Sequence, residues 1–288
     1  MDWVNTIVQG ALVGGLYALF AAGLSLMFGV MRLVNIAHGD LIVLAAYLAL
    51  VVVETLGLTP FVSLVVVVPA MFLLGYILQR GLLNFTLGGD ILPPLLVTFG
   101  LSIIIQNALL EGFSADSQKL SMGSFETASI QVTDQLAIGW FPATIFVTAV
   151  VVIALLELLL YNTAIGRAFR ATSDDADTAR LYGVRNRHIF SLATALALAV
   201  ISIAAIFLAV RTTFGPASGP ARLLFAFEAV IIGGLGSLWG TLAGGVVLGV
   251  AQSIGAQLNP GWETLAGHVA FLVVLIIRPR GLFPKLVD

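Results

Sequence analysis

Residues 1–30 read MDWVNTIVQGALVGGLYALFAAGLSLMFGV, an apolar run longer than the roughly 20 residues that cross a bilayer as one helix. No basic segment precedes this run and no A-x-A-like cleavage site follows it, so we expect a retained first span rather than a signal peptide. Comparable runs predict membrane segments at 4–29, 40–57, 60–79, 91–111, 140–162, 188–210, 223–257 and 262–277. The expected fold is therefore an all-α, polytopic integral membrane protein of about eight segments, with residues 1–288 in a single transmembrane domain.

The composition supports a membrane protein and excludes several other classes. Hydrophobic residues make up 59% of the chain and charged residues 10%, with a mean hydropathy of +1.07. A soluble domain has about a quarter of its residues charged. The net charge of −2 provides no basic field for nucleic acid, and the absence of cysteine excludes disulfides and thiol catalysis.

The sequence carries none of the common catalytic or cofactor-binding motifs. The sequence contains no nucleophile elbow, no HExxH, no phosphate loop and no dinucleotide fingerprint, and its three histidines have no paired ligand spacing. We therefore expect no catalytic residues, no metal site and no cofactor on this chain.

The charge distribution predicts the orientation in the membrane. The polar loop at 112–139 carries acidic residues and a single lysine among Ser, Thr, Gly and Gln, which is typical of an extracytoplasmic segment. With this loop outside, ten of the thirteen basic residues, Lys285 in the tail among them, lie in the cytoplasm, as the positive-inside rule expects. We expect a multi-pass protein of the plasma (inner) membrane, with the N-terminus outside and both the loop at 164–187 and the C-terminus inside. The segment 223–257 must then cross twice or be re-entrant, because a single crossing would place the basic tail outside.

The centre of that long segment reads GGLGSLWG, from Gly233 to Gly240. Glycine costs about 1 kcal/mol in a helix interior but lets backbones approach closely. Two interpretations stand side by side: a discontinuous helix, or close packing of small residues. The residues concerned are Gly233, Gly234, Gly236 and Gly240.

A second candidate break is VMRLVNIAHGDL, which places four polar or charged residues between two apolar runs. Arg32 and Asp40 fit an ordinary cytoplasmic turn. Asn35 and His38 lie three residues apart, hence on one face if the segment is helical, and polar groups at the end of a span often line a transport path. We therefore include Asn35 and His38 in a predicted path.

The fourth predicted span, VTFGLSIIIQNALL, carries a polar stripe. Thr98, Ser102 and Gln106 recur at i, i+4 and i+8, with Asn107 beside them. The four residues either belong to the same path or serve as hydrogen bonds between helices. No feature of the sequence separates the two possibilities.

The stretch RAFRATSDDADTARLYGVRNRH, from Arg167 to His188, holds five of the thirteen basic residues and three of the fifteen acidic ones. Its acids come early and its arginines late, which suits the macrodipole of a short cytoplasmic helix that begins at Thr172 or Ser173 and ends near Gly183. The alternative is a plain positive-inside loop. Charges of both signs favour docking to a partner, and the residues assigned to this contact are Ser173, Asp174, Asp177, Ala179, Arg180 and Gly183.

The energy for transport is expected to come from a partner rather than from an ion gradient. A secondary transporter usually keeps carboxylates in mid-span, whereas Glu54, Glu157 and Glu228 lie near the predicted ends of segments. A gradient-driven transporter and a membrane scaffold without a path remain the alternatives.

Four stretches in this order, GVMRLVNIAHGDLIVLAAY, TFGLSIIIQN, GRAFRATSDDADTARLYGV and AVIIGGLGSLWGTLAGG, resemble the permease subunit of branched-chain amino acid ABC importers. The resemblance spans about the whole chain. It implies half of a pore formed with a second, similar permease, two cytoplasmic ATPase subunits that bind the ATP, and an extracytoplasmic solute-binding protein. Related permeases carry urea and short amides, so the substrate is left open, as is the choice between a homodimeric and a heterodimeric pore.

The resemblance also implies a coupling helix in the cytoplasmic loop. Asp177-Thr178-Ala179 and Gly183 stand where the family has EAA-x-x-x-G, so Ala179 and Gly183 match that pattern and Asp177 matches by charge alone. Arg32 stands where family members often have glycine, and it takes no role from the family.

Overall fold

The protein is built almost entirely from α-helices, as the apolar runs predict. The structure is a computed structural model that describes residues 3–87, 90, 92–133 and 136–283. Its helices are α1 Trp3–Met31, α2 His38–Leu56, α3 Pro60–Gly81, α4 Leu92–Phe113, α5 Trp140–Asn162, α6 Ala164–Asp174, α7 Ala176–Leu181, α8 Asn186–Arg211, α9 Gly219–Gly233, α10 Leu238–Leu258 and α11 Glu263–Ile277. Strands β1 Ser129–Thr133 and β2 Leu136–Gly139 form an antiparallel hairpin before α5, with Ile130 opposite Ile138. Eight of the helical stretches are long and apolar enough to cross a membrane.

The helices run between two opposite ends of the bundle. We call one the loop end, because the β1–β2 hairpin lies there and the Gln9 side chain at the start of α1 donates a hydrogen bond of 2.6 Å to Ala137 O. The other is the basic end, where the Ser173 hydroxyl of α6 donates to Gly29 O near the end of α1. The described basic residues at this end are Arg32, Arg80, Arg167, Arg170, Arg180, Arg185, Arg187, Arg278 and Arg280. Lys285 lies outside the described residues.

Burial separates the helices into an inner and an outer set. In α1 and α8, 78% and 89% of the most apolar 18 residues are buried, whereas only 6% of the residues in Pro260–Ile277 are buried. Alanines and glycines let α1 and α8 pack closely at the centre, while α3, α4, α5 and α11 expose large apolar side chains. The outer set therefore forms the surface available to lipid or to another membrane subunit.

The second crossing starts inside the bundle rather than at its surface. The helix α1 runs from the loop end to the basic end, and residues 32–37 then turn back without helical structure. The helix α2 begins at His38, whose Nε2 lies 2.9 Å from Phe20 O. Because Phe20 precedes the end of α1 by about 16 Å at 1.5 Å per residue, α2 starts deep in the bundle rather than at its surface.

A second break mirrors the first in the opposite direction. The helix α8 runs from the basic end to the loop end, and residues 212–218 then turn back, so that the Phe214 ring lies 5.1 Å from that of Tyr47. The helix α9 starts against α2: a Cβ on Gly39 would stand 2.0 Å from Gly219 O. Its 15 residues span about 22 Å, too little to cross the hydrocarbon alone. The two helices thus begin at one interior point and diverge to opposite ends.

The long segment predicted at 223–257 is therefore two antiparallel helices, α9 and α10, joined by a turn at the basic end. The backbone N–H of Leu282 donates to Ile232 O at 2.8 Å, which places the chain after α11 at this same turn. The prediction that this segment is more than a single crossing is confirmed, because the described part of the basic tail lies at the basic end.

The central glycines take part both in a turn between two helices and in a close helix contact, at different residues. Gly234 and Gly236 adopt φ values of 108° and 78°, which glycine reaches without strain, and they form the break. Gly233 and Gly240 pack against each other, since a Cβ on Gly233 would stand 2.1 Å from Gly240 O.

Gly244→Val is expected to destabilise the protein by at least about 2 kcal/mol, since overpacking of a close helix contact forces the backbones apart. A Cβ on Gly244 would lie 2.0 Å from Ala229 O in α9. Thermal unfolding in detergent measures the effect, with Gly100→Val as the control because nothing lies within 4 Å of its Cβ position. Equal stability of the two variants would contradict the close α9–α10 contact.

Candidate functional site

Asp40 is the centre of a buried polar cluster at the point where α2 and α9 begin. The residue is 1% exposed. The Ser102 hydroxyl donates to Oδ2 at 2.5 Å, and the Gln106 amide donates to Oδ1 at 3.0 Å. A Cβ on Gly219 would stand 1.9 Å from Oδ1, so only glycine allows the first residue of α9 to lie this close to the carboxylate. Two residues of the polar stripe of α4 thus donate hydrogen bonds to a residue of α2.

The Asp40 carboxylate has no basic partner among the described residues. A carboxylate offers about four lone-pair directions, so the two side-chain donors leave acceptor capacity. The N-termini of α2 and α9 supply partial positive charge, but an ionisable group inside a membrane bundle without a counter-ion is costly and marks a functional position.

The interpretation of Asp40 as part of an ordinary turn is wrong, whereas the exposed Arg32, with φ of 52°, does fit a turn. The partners of Asp40 lie 62 and 66 residues further along the chain. The polar stripe of α4 could have indicated the role of Asp40, because such a stripe needs a complementary polar group on a neighbouring helix.

Asn35, His38 and Thr98 hold the break between α1 and α2. The Asn35 Oδ1 accepts from Ala37 N at 3.0 Å, and the Thr98 hydroxyl oxygen accepts from Ile36 N at 3.2 Å. Asn35 precedes α2, so it does not share a helical face with His38. Asn35 Nδ2 and His38 Nδ1 are buried without a hydrogen-bond partner among the described residues. The three side chains are 1%, 0% and 0% exposed, so in this conformation they organise the backbone and do not face water.

An open cavity leads from the loop end to this cluster. Its volume is about 420 Å³, and its lining includes Gln106, Asn107, Leu110, Ser117 and the segment 213–218. Gln106 therefore stands between the cavity and Asp40. The Asn107 amide donates to Ile103 O of its own helix at 2.8 Å and lies on the wall, away from the cluster.

The charged stretch folds into two short helices, α6 and α7, and the predicted start at Thr172 or Ser173 is wrong. Both residues lie in the last turns of α6, and Asp175 caps α7 instead. The Asp175 carboxylate accepts from the amides of Asp177 and Thr178, at 3.0 Å each, and from the Thr178 hydroxyl. The Thr178 bonds hold the pKa of Asp175 below its ordinary value. A residue that satisfies two free amides at once is the stronger cap.

The predicted docking residues differ in accessibility. Asp174, Asp177 and Arg180 are exposed, and Gly183 ends α7 with φ of 87°. Ser173 is half-buried against Gly29, through its hydroxyl. Ala179 is 5% exposed, so the expectation that it faces a partner is wrong. Its small side chain packs inside the chain, where α7 meets α6 and α8.

Sequence reasoning missed the two most prominent side chains of this surface. Leu181 and Tyr182 are 87% and 86% exposed at the end of α7. They lie beyond the membrane-length helices at the basic end, where exposed apolar side chains mark contacts with another protein. The sequence did contain a signal for this surface: two large apolar residues, Leu181 and Tyr182, stand beside Gly183 in an otherwise charged stretch.

Glu228 is buried inside the bundle, although it was predicted near the end of a segment. It is 2% exposed, and its Oε1 pairs with Nδ1 of His268. Of the three carboxylates predicted near segment ends, Glu54 is exposed near the end of α2 and Glu157 lies in the last two turns of α5, whereas Glu228 is buried within α9. Asp40, which was not among the three, is also buried. Carboxylate position alone therefore does not distinguish ion coupling from ATP coupling in this chain.

Comparison with known proteins settles the family. The family model described as "Branched-chain amino acid transport system / permease component" matches residues 6–278. The chain is 28% identical to the high-affinity branched-chain amino acid transport system permease protein BraD of Pseudomonas aeruginosa, over 98% of this chain and 96% of the relative. It is 26% identical to LivH of Salmonella typhimurium over the same shares, and 31% identical to a probable LivH of Methanocaldococcus jannaschii over 96% and 91%. The match covers nearly the whole length of this multi-pass chain. The chain therefore belongs to the family of branched-chain amino acid transport system permease components.

Proposed function

We propose that this chain is the permease subunit of an ABC importer for branched-chain, hydrophobic amino acids. With a second, similar permease it forms a translocation pore, two cytoplasmic ATPase subunits drive the cycle, and a solute-binding protein delivers the substrate. The observation that carries the substrate class is Asp40: a buried carboxylate without a basic partner among the described residues, one hydrogen bond below a cavity that opens at the loop end.

An amino acid supplies the cation that Asp40 lacks. Its ammonium group can donate to a carboxylate, and such charge-assisted hydrogen bonds are about twice as strong as neutral ones. Urea and short amides are neutral and would leave the carboxylate without a counter-ion. Asp40 therefore favours an amino acid over the alternative substrates, with Gln106 and Ser102 holding the carboxylate in place.

The coupling surface supports an ATP-driven cycle. Leu181 and Tyr182 offer two large anchors, surrounded by the exposed charges of Asp177 and Arg180, and such a surface combines a hydrophobic contact with a polar rim. ATP binds to the partner subunits and not to this chain. ATP binding would close the partner ATPases and shift α7.

A continuous set of contacts leads from α7 to the break after α1. The helix α6 joins α7 to α1 through the bond from Ser173 to Gly29, and Gly29 lies against the turn at Gly236. A shift of α6 and α7 would thus reach both the end of α1 and the α9–α10 turn. Since α2 and α9 start at one point and run to opposite ends, their relative movement can open the path to either side, which is alternating access.

The proposed orientation places the basic end in the cytoplasm and the loop end outside. A cysteine at the exposed Asp174 is expected to react with a membrane-impermeant maleimide only when the cytoplasmic side is accessible, and a cysteine at Ser121 only from outside. The chain has no native cysteine, so the background is low. Labelling in the reverse pattern would refute the orientation.

Reconstitution tests the function. The chain, the second permease and the ATPase subunits in proteoliposomes should take up leucine only with both ATP and the loaded binding protein. Uptake of urea or acetamide in preference to leucine would show that the substrates are small amides and not amino acids. Uptake by this chain alone under a proton or sodium gradient would replace the ABC mechanism.

A further inference from the structure

A second cavity lies at the basic end, between the last turn of α3 and the first turn of α8. Its volume is about 480 Å³, and its lining includes Tyr76, Arg80, Val184, Arg185, His188 and Ile189. No carboxylate among the described residues lines it. Arg80 and Arg185 are exposed and form no ion pair with any described residue. The cavity therefore presents two uncompensated guanidinium groups.

The N-terminus of α8 adds to this positive potential. The helix has 26 residues, and Arg185 at its N-cap position makes no side-chain capping bond. The first amides of a helix lack intrahelical partners and carry partial positive charge, which makes them donors for an anion. The Tyr76 hydroxyl lies 2.9 Å from His188 Nδ1, which fixes the imidazole at the cavity wall. A phosphate in the cavity would meet the two guanidinium groups, and it would lie near the positive end of α8.

An apolar surface continues from the cavity along α3. Leu73 and Ile77 are 58% and 55% exposed, and with Arg80 they share one helical face at i, i+4 and i+7. Phe85, just beyond α3, is 74% exposed, and the Arg187 guanidinium lies 6.0 Å above its ring. A soluble anion would make no use of such a surface. A molecule with a phosphate and acyl chains would occupy the cavity and the α3 face at once.

We propose that this cavity binds the headgroup of an anionic glycerophospholipid from the leaflet at the basic end, with its acyl chains along the exposed face of α3. Basic pockets between membrane helices bind such headgroups, each basic residue contributing through charge. The phosphate would join the first turn of α8 to the last turn of α3 through Arg185 and Arg80. Because Ala168 of α6 also lines the cavity, the bound lipid touches the element that leads to the coupling surface.

Native mass spectrometry of the purified full chain, in micelles with equal phosphatidylglycerol and phosphatidylcholine, tests the proposal. Phosphatidylglycerol is expected to remain bound in preference. The double variant Arg80→Gln, Arg185→Gln should lower its affinity about 30-fold, the factor that about 1 kcal/mol per basic residue gives for two residues. Arg167→Gln, an exposed arginine of α6 outside the cavity, should stay within about threefold of wild type.

A charge-preserving pair, Arg80→Lys with Arg185→Lys, separates charge from folding and should retain most of the preference. Equal retention of the two lipids, equal loss in the lysine and glutamine pairs, or full phosphatidylglycerol binding by the glutamine pair would overturn the proposal. Displacement of the lipid by millimolar inorganic phosphate would assign the cavity to a soluble anion instead. Loss of ATPase subunits from the glutamine pair with unchanged lipid binding would assign it to a protein contact.

Discussion

The double variant Leu181→Glu, Tyr182→Glu is expected to lose ATP-driven uptake while the chain still inserts and folds. Both side chains are more than four-fifths exposed, so their replacement leaves the packing of the bundle intact. An anchor at the centre of a protein contact is worth about 2 kcal/mol, or about 30-fold in affinity. Two new negative charges in a desolvated contact would add to that loss. Co-purification of the ATPase subunits and uptake into proteoliposomes should fall together.

The control for this experiment is Ala164→Glu. Ala164 is exposed in the first turn of α6, where a carboxylate suits the helix dipole, and it lies outside the α7 surface. It should keep ATPase subunits at the wild-type level. If the double variant retains the ATPases and transports normally, α7 is not the coupling element and the charged stretch is a positive-inside loop.

Asp40→Asn is expected to reduce leucine uptake by about 10-fold to 100-fold, because the loss of a charge-assisted hydrogen bond costs about 1.5–3 kcal/mol. The amide has nearly the same shape, so Ser102 and Gln106 keep a neighbour, and the close approach of Gly219 is preserved. Uptake measured against leucine concentration should show the loss, while the amount of assembled complex is unchanged. Ser102→Ala, which removes one donor to Oδ2, should cost less than Asp40→Asn.

Thr55→Val provides a matched control on the same helix. Thr55 is exposed near the end of α2, and its hydroxyl donates to Val51 O within the helix. It should transport within about twofold of wild type. Normal leucine uptake by Asp40→Asn would remove the ammonium contact from the mechanism, and the carboxylate would then serve only to join α2, α4 and α9.

The helices and their order could be predicted from the sequence because both depend on local properties. Runs of apolar residues of membrane length mark α1 to α5 and α8 with errors of a few residues, since a backbone in lipid must satisfy its own hydrogen bonds. The break at Gly234 and Gly236 was visible for the same local reason, as only glycine reaches those backbone angles without strain. The family resemblance was carried by four such stretches.

What each polar side chain does was decided by tertiary structure. Asp40 became the centre of a cluster because the chain after α1 turns back into the bundle, and its donors come from a helix more than sixty residues away. Ala179 is buried while Leu181 and Tyr182 are exposed, a difference set by how α7 packs on α6 and α8. Apolar length fixes where a helix crosses the membrane, but depth, burial and partners depend on contacts between segments that are distant in sequence, and those only the folded bundle determines.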